Sequence, residues 1–309
     1  MNILITGGTG FIGTHLIQEL QKYDHKIHVL TRHTTDKQKN KDAHLVKGDI
    51  TNQSSISNAL KNIDVVYHNA ALAIDSGHKK EIYDINVNGT RNLAEACLQN
   101  NIKRIVYTSS AGVYGFPDST EPIVETSQKH PMNPYQLSKL QGEEVLRTYH
   151  DLTTSVIRPP LVLGKGGMGS KVMIDNLKKQ KMPYVGSGTN VIPIAHPSDV
   201  AQCLRLALEK DTKGDTYNVV SFTCTIQDLL QKITQKLSIP EPTKHVPYAL
   251  AYLTAVFSEY FSKDPRLTRF RLKTLATSRV ISCEKAKKDL GFKPGYNLER
   301  TVEDIIQSA

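Results

Sequence analysis

Apolar residues in the first half of the chain fall in short unbroken runs. These are Asn2–Thr6, Lys26–Thr31, His44–Val46, Val65–His68, Arg104–Thr108 and Ser155–Arg158. Runs of this kind mark strands buried on both faces. Between them, apolar positions recur at helical spacing near Phe11–Lys22, Ser54–Lys61, Glu81–Asn100 and Pro134–Tyr149. Such alternation predicts an α/β fold, a doubly wound parallel sheet between helix layers. After Arg158 the alternation breaks down. A glycine-rich loop, Gly164–Gly169, precedes an amphipathic helix, a Gly-Ser-Gly turn at 186–188 and shorter elements. The pattern predicts a sheet domain over 1–163 and a smaller, irregular lobe over 164–309. No Pro/Ser-rich linker divides them, so strand exchange between the two is expected.

Composition narrows the class. The 309 residues are 39% hydrophobic, which is too apolar for a disordered chain. The net charge of +9 is uneven: residues 1–150 hold 16 basic and 15 acidic side chains, and residues 151–309 hold 23 and 15. A basic half suits an anionic ligand, a membrane surface or only solvent. Nucleic acid is disfavoured, because the cations are scattered and not interleaved with aromatics. Cysteines at 97, 203, 224 and 283 show neither zinc spacing nor a disulfide framework. No metal and a cytoplasmic setting are therefore expected. With a strand predicted from Asn2, no leader peptide is expected. The uncharged stretch His245–Ser258 has 14 residues, short of the ~20 of a membrane-spanning helix.

Gly7, Gly10 and Gly13 lie in TGGTGFIG, directly after the first strand and opening the first helix. This is a variant of the Rossmann dinucleotide fingerprint. The first glycine permits the tight turn, the second lets backbone approach a pyrophosphate, and the third lets helix pack on strand. The helix N-terminus then offers unpaired N–H groups to phosphate. At the end of the second strand, where an acid would hold the ribose 2′-OH of NAD(H), stand Thr31, Arg32 and His33. A guanidinium suits a 2′-phosphate, which favours NADP(H) over NAD(H). Asp49 follows the third strand and is placed either to receive the adenine amino group or to cap the next helix.

Tyr135 and Lys139 are four residues apart at the start of a helix, so phenol and ammonium share one face. A neighbouring ammonium is expected to lower the phenol pKa and fit Tyr135 for proton transfer with an alcohol or ketone. Ser110, just past the fifth strand, is placed to hold the substrate oxygen.

With these motifs in order, the chain resembles the extended short-chain dehydrogenase/reductases. The resemblance rests on TGGTGFIG, GDI, HNAA (68–71), NVNGT (86–90), TSSAGVYG (108–115), YQLSK (135–139) and RPPLVLG (158–164). IAHPSDVA (194–201), YNVV (217–220) and KDLGFKP (288–294) extend it over nearly the whole chain. It implies an NAD(P)-dependent enzyme with Ser110, Tyr135, Lys139 and Asn86 as catalytic group; helix packing is the competing role for Asn86. Besides the glycines, Arg32, Asp49, Tyr135 and Lys139, it implies a cofactor site lined by Phe11, Ile12, Ile50, Asn69, Ala70, Ala71, Thr108, Pro159 and Val162. Ser110, Ala111, Gly112, Val113 and His196 would meet substrate. Homodimers through the Tyr135 helix are common in such proteins.

Departures from the family pattern choose a branch. Ala111 and Gly112 stand where sugar dehydratases carry an Asp-Glu pair. Between Met182 and Gln202 there is no Arg or Lys to clamp a sugar-nucleotide pyrophosphate. The apolar segment 246–261 and the basic segment 267–292 resemble the 3β-hydroxysteroid dehydrogenase/dihydroflavonol reductase-like branch, which implies a small, largely apolar alcohol or ketone. A nucleotide-sugar 4-epimerase or reductase is the first alternative, and an NADP(H)-binding sensor or assembly factor the second. Peripheral membrane contact is a further reading of the apolar segment, since Lys263, Arg266, Arg269, Arg271 and Lys273 follow it.

Overall fold

The computed structural model describes residues 1–33, 43–117, 120–210, 214–262, 265 and 267–307. Its first elements are β1 (Asn2–Thr6), α1 (Phe11–Leu20), β2 (Lys26–Thr31), β3 (His44–Lys47), α2 (Gln53–Ala59) and β4 (Val65–His68). Then come α3 (Lys79–Tyr83), α4 (Gly89–Gln99), β5 (Arg104–Thr108), α5 (Pro134–Arg147) and β6 (Thr153–Arg158). The predicted helix over Glu81–Asn100 is broken by a π-helical turn at Asp84–Asn88, which joins α3 to α4. Such turns recur at functional sites.

After β6 follow β7 (Leu161–Val162), α6 (Met168–Lys178), β8 (Tyr184–Val185), β9 (Val191–Ala195), α7 (Pro197–Glu209) and β10 (Thr216–Asn218). The chain ends with β11 (Phe222–Thr225), α8 (Ile226–Leu237), β12 (His245–Val246), α9 (Tyr248–Phe261), α10 (Arg269–Ala276), α11 (Glu284–Leu290) and α12 (Leu298–Ile306).

The large sheet has the order β10-β6-β5-β4-β1-β2-β3, and every pair in it is parallel. β1, β3, β4 and β5 are each followed by a helix before the next strand of the sheet, and the helices pack on its two faces. One core holds Ile3, Ile5 and Val29 with Leu16 and Leu204; the other holds Leu4, Val66 and Ile105 with Leu93 and Leu146. Sequence order reverses on either side of β1, between β2 and β4. A crevice opens at such a switch point, beyond the C-terminal strand ends. The chain re-enters this sheet after residue 163: α7 packs on α1, and β10 pairs with β6. The remaining elements form a three-stranded sheet, β11-β9-β7, and a two-stranded one, β12-β8. Their core joins Ile174 and Leu177 to Leu229, Ile233 and Val302. A small satellite core joins Ala251 and Ala255 to Leu272.

Candidate active site

At the switch point the glycine turn meets the loop after β4. Gly7 has φ +69°, and a Cβ there would lie 2.6 Å from the Ala70 nitrogen. Only glycine meets both demands. Gly10 caps α1, and a Cβ on Gly13 would strike the Gly7 carbonyl. The first turn of α1, with Phe11, Ile12 and Gly13, carries no acid and, among the described residues, no side-chain cap, which leaves its backbone donors to a ligand or water.

Arg32 stands exposed just past β2 and shares a cleft of about 850 Å³ with Asp49, Ile85 and Asn88. Asp49 Oδ1 accepts from the Thr51 nitrogen at 2.9 Å and its hydroxyl at 2.8 Å. The cap of α2 is instead Asn52, 3.0 Å from the Ser55 nitrogen, so the capping alternative for Asp49 fails. Ile50 is buried, and its carbonyl accepts from Asn92 at 3.1 Å.

Asn69 accepts from Thr108 Oγ1, while its buried Nδ2 has no partner among the described residues. A buried amide without an acceptor is uncommon in a finished structure and calls for one. Ala70 and Ala71 are half-buried beside it, and the Ala70 nitrogen donates to Thr6 Oγ1 at 3.2 Å. Glycine turn, acid-free helix start, Arg32–Asp49 cleft and unpaired Asn69 amide together fit an NAD(P)-type dinucleotide.

The two residues expected to carry acid/base chemistry, Tyr135 and Lys139, lie on α5. Asn133 caps this helix through the Gln136 nitrogen, at 2.8 Å, and Pro134 opens it. Lys139 is 2% exposed, and its Nζ sits 4.2 Å over the Tyr107 ring. Burial pushes its pKa down to about 7, against the pull of Glu143. Tyr135 is half-buried. Burial pushes its phenol up to about 12, which reverses the lowering expected from the neighbouring ammonium. The reason is desolvation: it acts on both groups, and a lysine near 7 carries only part of its charge at neutral pH.

Ser110 caps a 3-10 turn, Ala111–Tyr114, and its Oγ accepts from the Gly112 nitrogen at 3.0 Å. Gly112 faces Gln136, the residue after Tyr135, so this turn and the start of α5 face each other. The turn is tied to Pro159, whose carbonyl accepts from the Ala111 nitrogen at 2.8 Å. Val162 is half-exposed on β7.

Ala111 and Val113 depart from expectation. Both are buried in the core of the sheet, leaving Ser110 and Gly112 as the half-exposed members of the group. His196 departs too. It is fully buried and caps α7; Nδ1 accepts from the Ser198 nitrogen at 3.2 Å, and Nε2 meets Asp304 at 2.9 Å. Its ring stacks on Tyr296, so it joins helices and has no exposed atom for a substrate. The Asn86 amide, 1% exposed, bonds the Leu72 backbone in both directions and donates to Ser138 at 2.9 Å. Its side chain pins the β4 loop to α5 and is fully engaged.

Sequence reasoning missed what lies behind Lys139. Glu143, one turn further on, takes a two-pronged ion pair from Arg158 at the end of β6, both side chains being fully buried. Ser109 donates to the same carboxylate at 2.5 Å. Arg158 also donates to the Tyr114 hydroxyl at 2.6 Å, which donates to Asn218 at 2.9 Å. This network ties α5, β5, β6 and β10 together. The four-residue steps from Tyr135 to Lys139 to Glu143 were the available signal.

Fold and site define a Rossmann-type protein whose switch-point crevice fits a dinucleotide. The chain belongs to the NAD dependent epimerase/dehydratase family, whose model matches residues 3–220. It is 30% identical over 331 residues to the N-acetyl-alpha-D-glucosaminyl-diphospho-ditrans,octacis-undecaprenol 4-epimerase of Escherichia coli O157:H7, covering 99% of this chain and 94% of that one. Similarity to the decarboxylating sterol-4-alpha-carboxylate 3-dehydrogenase of Mus musculus is 27% over 328 residues, covering 98% and 90%. Among solved structures, gox2253 matches with a TM-score of 0.84 and 28% identity, covering 99% and 97%. The UDP-glucuronic acid 4-epimerase of Bacillus cereus, in complex with NAD, shares the fold at a TM-score of 0.80 and 22% identity, covering 99% of each chain.

Proposed function

We propose that this protein is an NADP(H)-dependent oxidoreductase that interconverts a hydroxyl and a ketone on a largely apolar small molecule. The observation that carries this reading is the pairing of Tyr135 and Lys139 on α5 with the Ser110 turn facing its start. Bound NADP(H) supplies or accepts a hydride at the substrate carbon. Tyr135 holds its proton at neutral pH, as burial dictates, and donates it to the carbonyl oxygen in the reducing direction. Ser110 holds that oxygen through its hydroxyl. Lys139, one turn along the same face of α5, favours the phenolate that forms when it carries its positive charge.

Arg32 at the end of β2, with Thr31 and His33 and no acid as its chain neighbours, supports the 2′-phosphate form of the cofactor. The absence of Arg and Lys between Met182 and Gln202 supports an apolar substrate. Both curated relatives carry names of lipid-like substrates, an undecaprenol-linked sugar and a sterol. A homodimer through the α5 layer belongs to this reading, with Leu137 exposed on that helix.

The second reading is a 4-epimerase of nucleotide-linked or lipid-linked sugar, favoured by the Escherichia coli relative. It predicts turnover without added cofactor and tightly retained NAD. Tyr135→Phe should lower hydride transfer by about a thousandfold and leave cofactor binding intact, as read by stopped-flow absorbance and titration calorimetry. Unchanged turnover would overturn the assignment.

A further inference from the structure

Helix α9 is apolar on the face it buries and on the face it exposes. Ala251 and Ala255 point into the satellite core with Leu272 of α10. On the outside stand Leu250 at 57% exposure, Leu253 at 55%, Phe257 at 61%, Tyr260 at 81% and Phe261 at 75%. Steps of three and four residues put these in one stripe along the helix. The one acid on the helix, Glu259, is paired with Arg269 at 2.7 Å. Large contiguous apolar patches are rare on soluble chains and mark interaction sites.

Two further observations say what the patch meets. The first is charge. The strands β8 and β12 lead to the start of α9, and the exposed lysines 178, 179, 181 and 244 precede them. An apolar stripe flanked by lysines complements an anionic bilayer surface. The second is position. α10 packs on α9, and its Phe270 meets Phe116 at 6.1 Å, two residues past the turn that Ser110 opens. Thr268 and Arg271 bond Asp75, in the loop after β4, at 2.7 and 2.9 Å. The α9–α10 pair is thus fastened to two loops of the candidate active site.

We propose that α9 docks the enzyme on an anionic membrane, its Leu250–Phe261 stripe entering the headgroup boundary and the flanking lysines holding it there. The helix lies on the membrane: 14 residues span about 21 Å, and no described helix is long and apolar enough to cross. Docking sets the active-site mouth at the bilayer surface, where a lipid-like alcohol or ketone resides. That consequence rests on the proposed function; the docking itself does not.

The test is co-sedimentation of the full chain with vesicles of phosphatidylcholine plus phosphatidylglycerol, against phosphatidylcholine alone. The wild type should partition onto the anionic vesicles and lose binding as salt is added. The triple variant Phe257→Ser, Tyr260→Ser, Phe261→Ser should bind about a hundredfold more weakly, and so should the single variant Phe257→Glu. Both should melt as the wild type does and keep its turnover of a short, water-soluble ketone. Absence of vesicle binding, or equal binding to both vesicle types, overturns the proposal. So does a concentration-dependent dimer that the triple variant abolishes, because the stripe would then cover a second copy. Vesicle binding without any ketone turnover would keep the docking and remove the proposed function.

Discussion

The two halves of the molecule place opposite kinds of residue against the usual rule. The sheet domain buries charge: Lys139, Glu143 and Arg158 are all under 3% exposed. The C-terminal lobe exposes apolar rings: Phe257, Tyr260 and Phe261 are all above 60%. Exposed apolar atoms and buried polar ones are each tolerated singly, but clusters of either require a reason. In the sheet domain the reason is internal, since two of the three charges satisfy each other and the third meets an aromatic face and the proposed substrate site. In the lobe no described residue covers the rings, and the proposed reason lies outside the chain.

The sharpest way to break the first half of this comparison is to unpair its buried charges. Glu143→Leu leaves Arg158 charged and buried, and should cost about 3–5 kcal/mol by denaturant unfolding. Adding Arg158→Met should recover most of that loss, because a matched apolar pair replaces a matched ionic one. A double variant no more stable than the single would show that the Tyr114 hydroxyl and the Glu125 carbonyl suffice to hold Arg158.

Lys139 gives a smaller effect with a definite pH signature. Its folded pKa of about 7 lies below the ordinary 10.5. A lysine depressed in this way destabilises the fold wherever the unfolded chain would hold the proton. The cost is therefore complete below pH about 7, shrinks as pH rises, and vanishes above about 10.5. Lys139→Met should accordingly stabilise the cofactor-free protein by about 2–4 kcal/mol below neutrality. The gain should fade toward high pH, as thermal melts across that range would record. A gain independent of pH would mean that packing, not charge, sets it.

Much of the sheet domain was legible because its strands are buried on both faces, so apolar runs such as Ile3–Ile5 and Val65–Tyr67 announce themselves. The glycine turn was legible because backbone geometry at Gly7 and Gly13 excludes any side chain. The break at Asp84–Asn88 was not, since a π-helical turn keeps helical periodicity on either side. Ala111 and Val113 were misread because a motif fixes which residues surround a site, whereas burial fixes which of them face it. His196 was misread for the same reason: its partners Asp304 and Tyr296 lie about a hundred residues away and meet it only in the fold. The helix at 248–261 was legible as apolar, but which of its faces stays open depends on α10, and short weak elements carry little periodicity.

The cleft that Arg32 lines lies within the sheet domain, and Arg32 is exposed there and therefore modest in effect. Arg32→Ala should weaken NADP(H) by about tenfold and leave NAD(H) unchanged, as measured by fluorescence titration. Equal affinity for both cofactors before and after the change would remove the basis for the 2′-phosphate reading.

The smallest expected effect completes the contrast. Phe257→Ser removes a large ring from a helix, a change that in either core of the sheet would cost about 3–5 kcal/mol. At 61% exposure the ring makes few contacts that folding creates. The loss should stay within about 0.5 kcal/mol in the absence of membrane. Urea unfolding of the two proteins side by side reads this directly. A loss of several kcal/mol would mean that the ring packs against part of this chain and that the stripe is core. A near-zero loss together with weakened vesicle binding separates the two uses of apolar surface in one polypeptide: one set of rings buried to hold the fold, another kept outside for a partner.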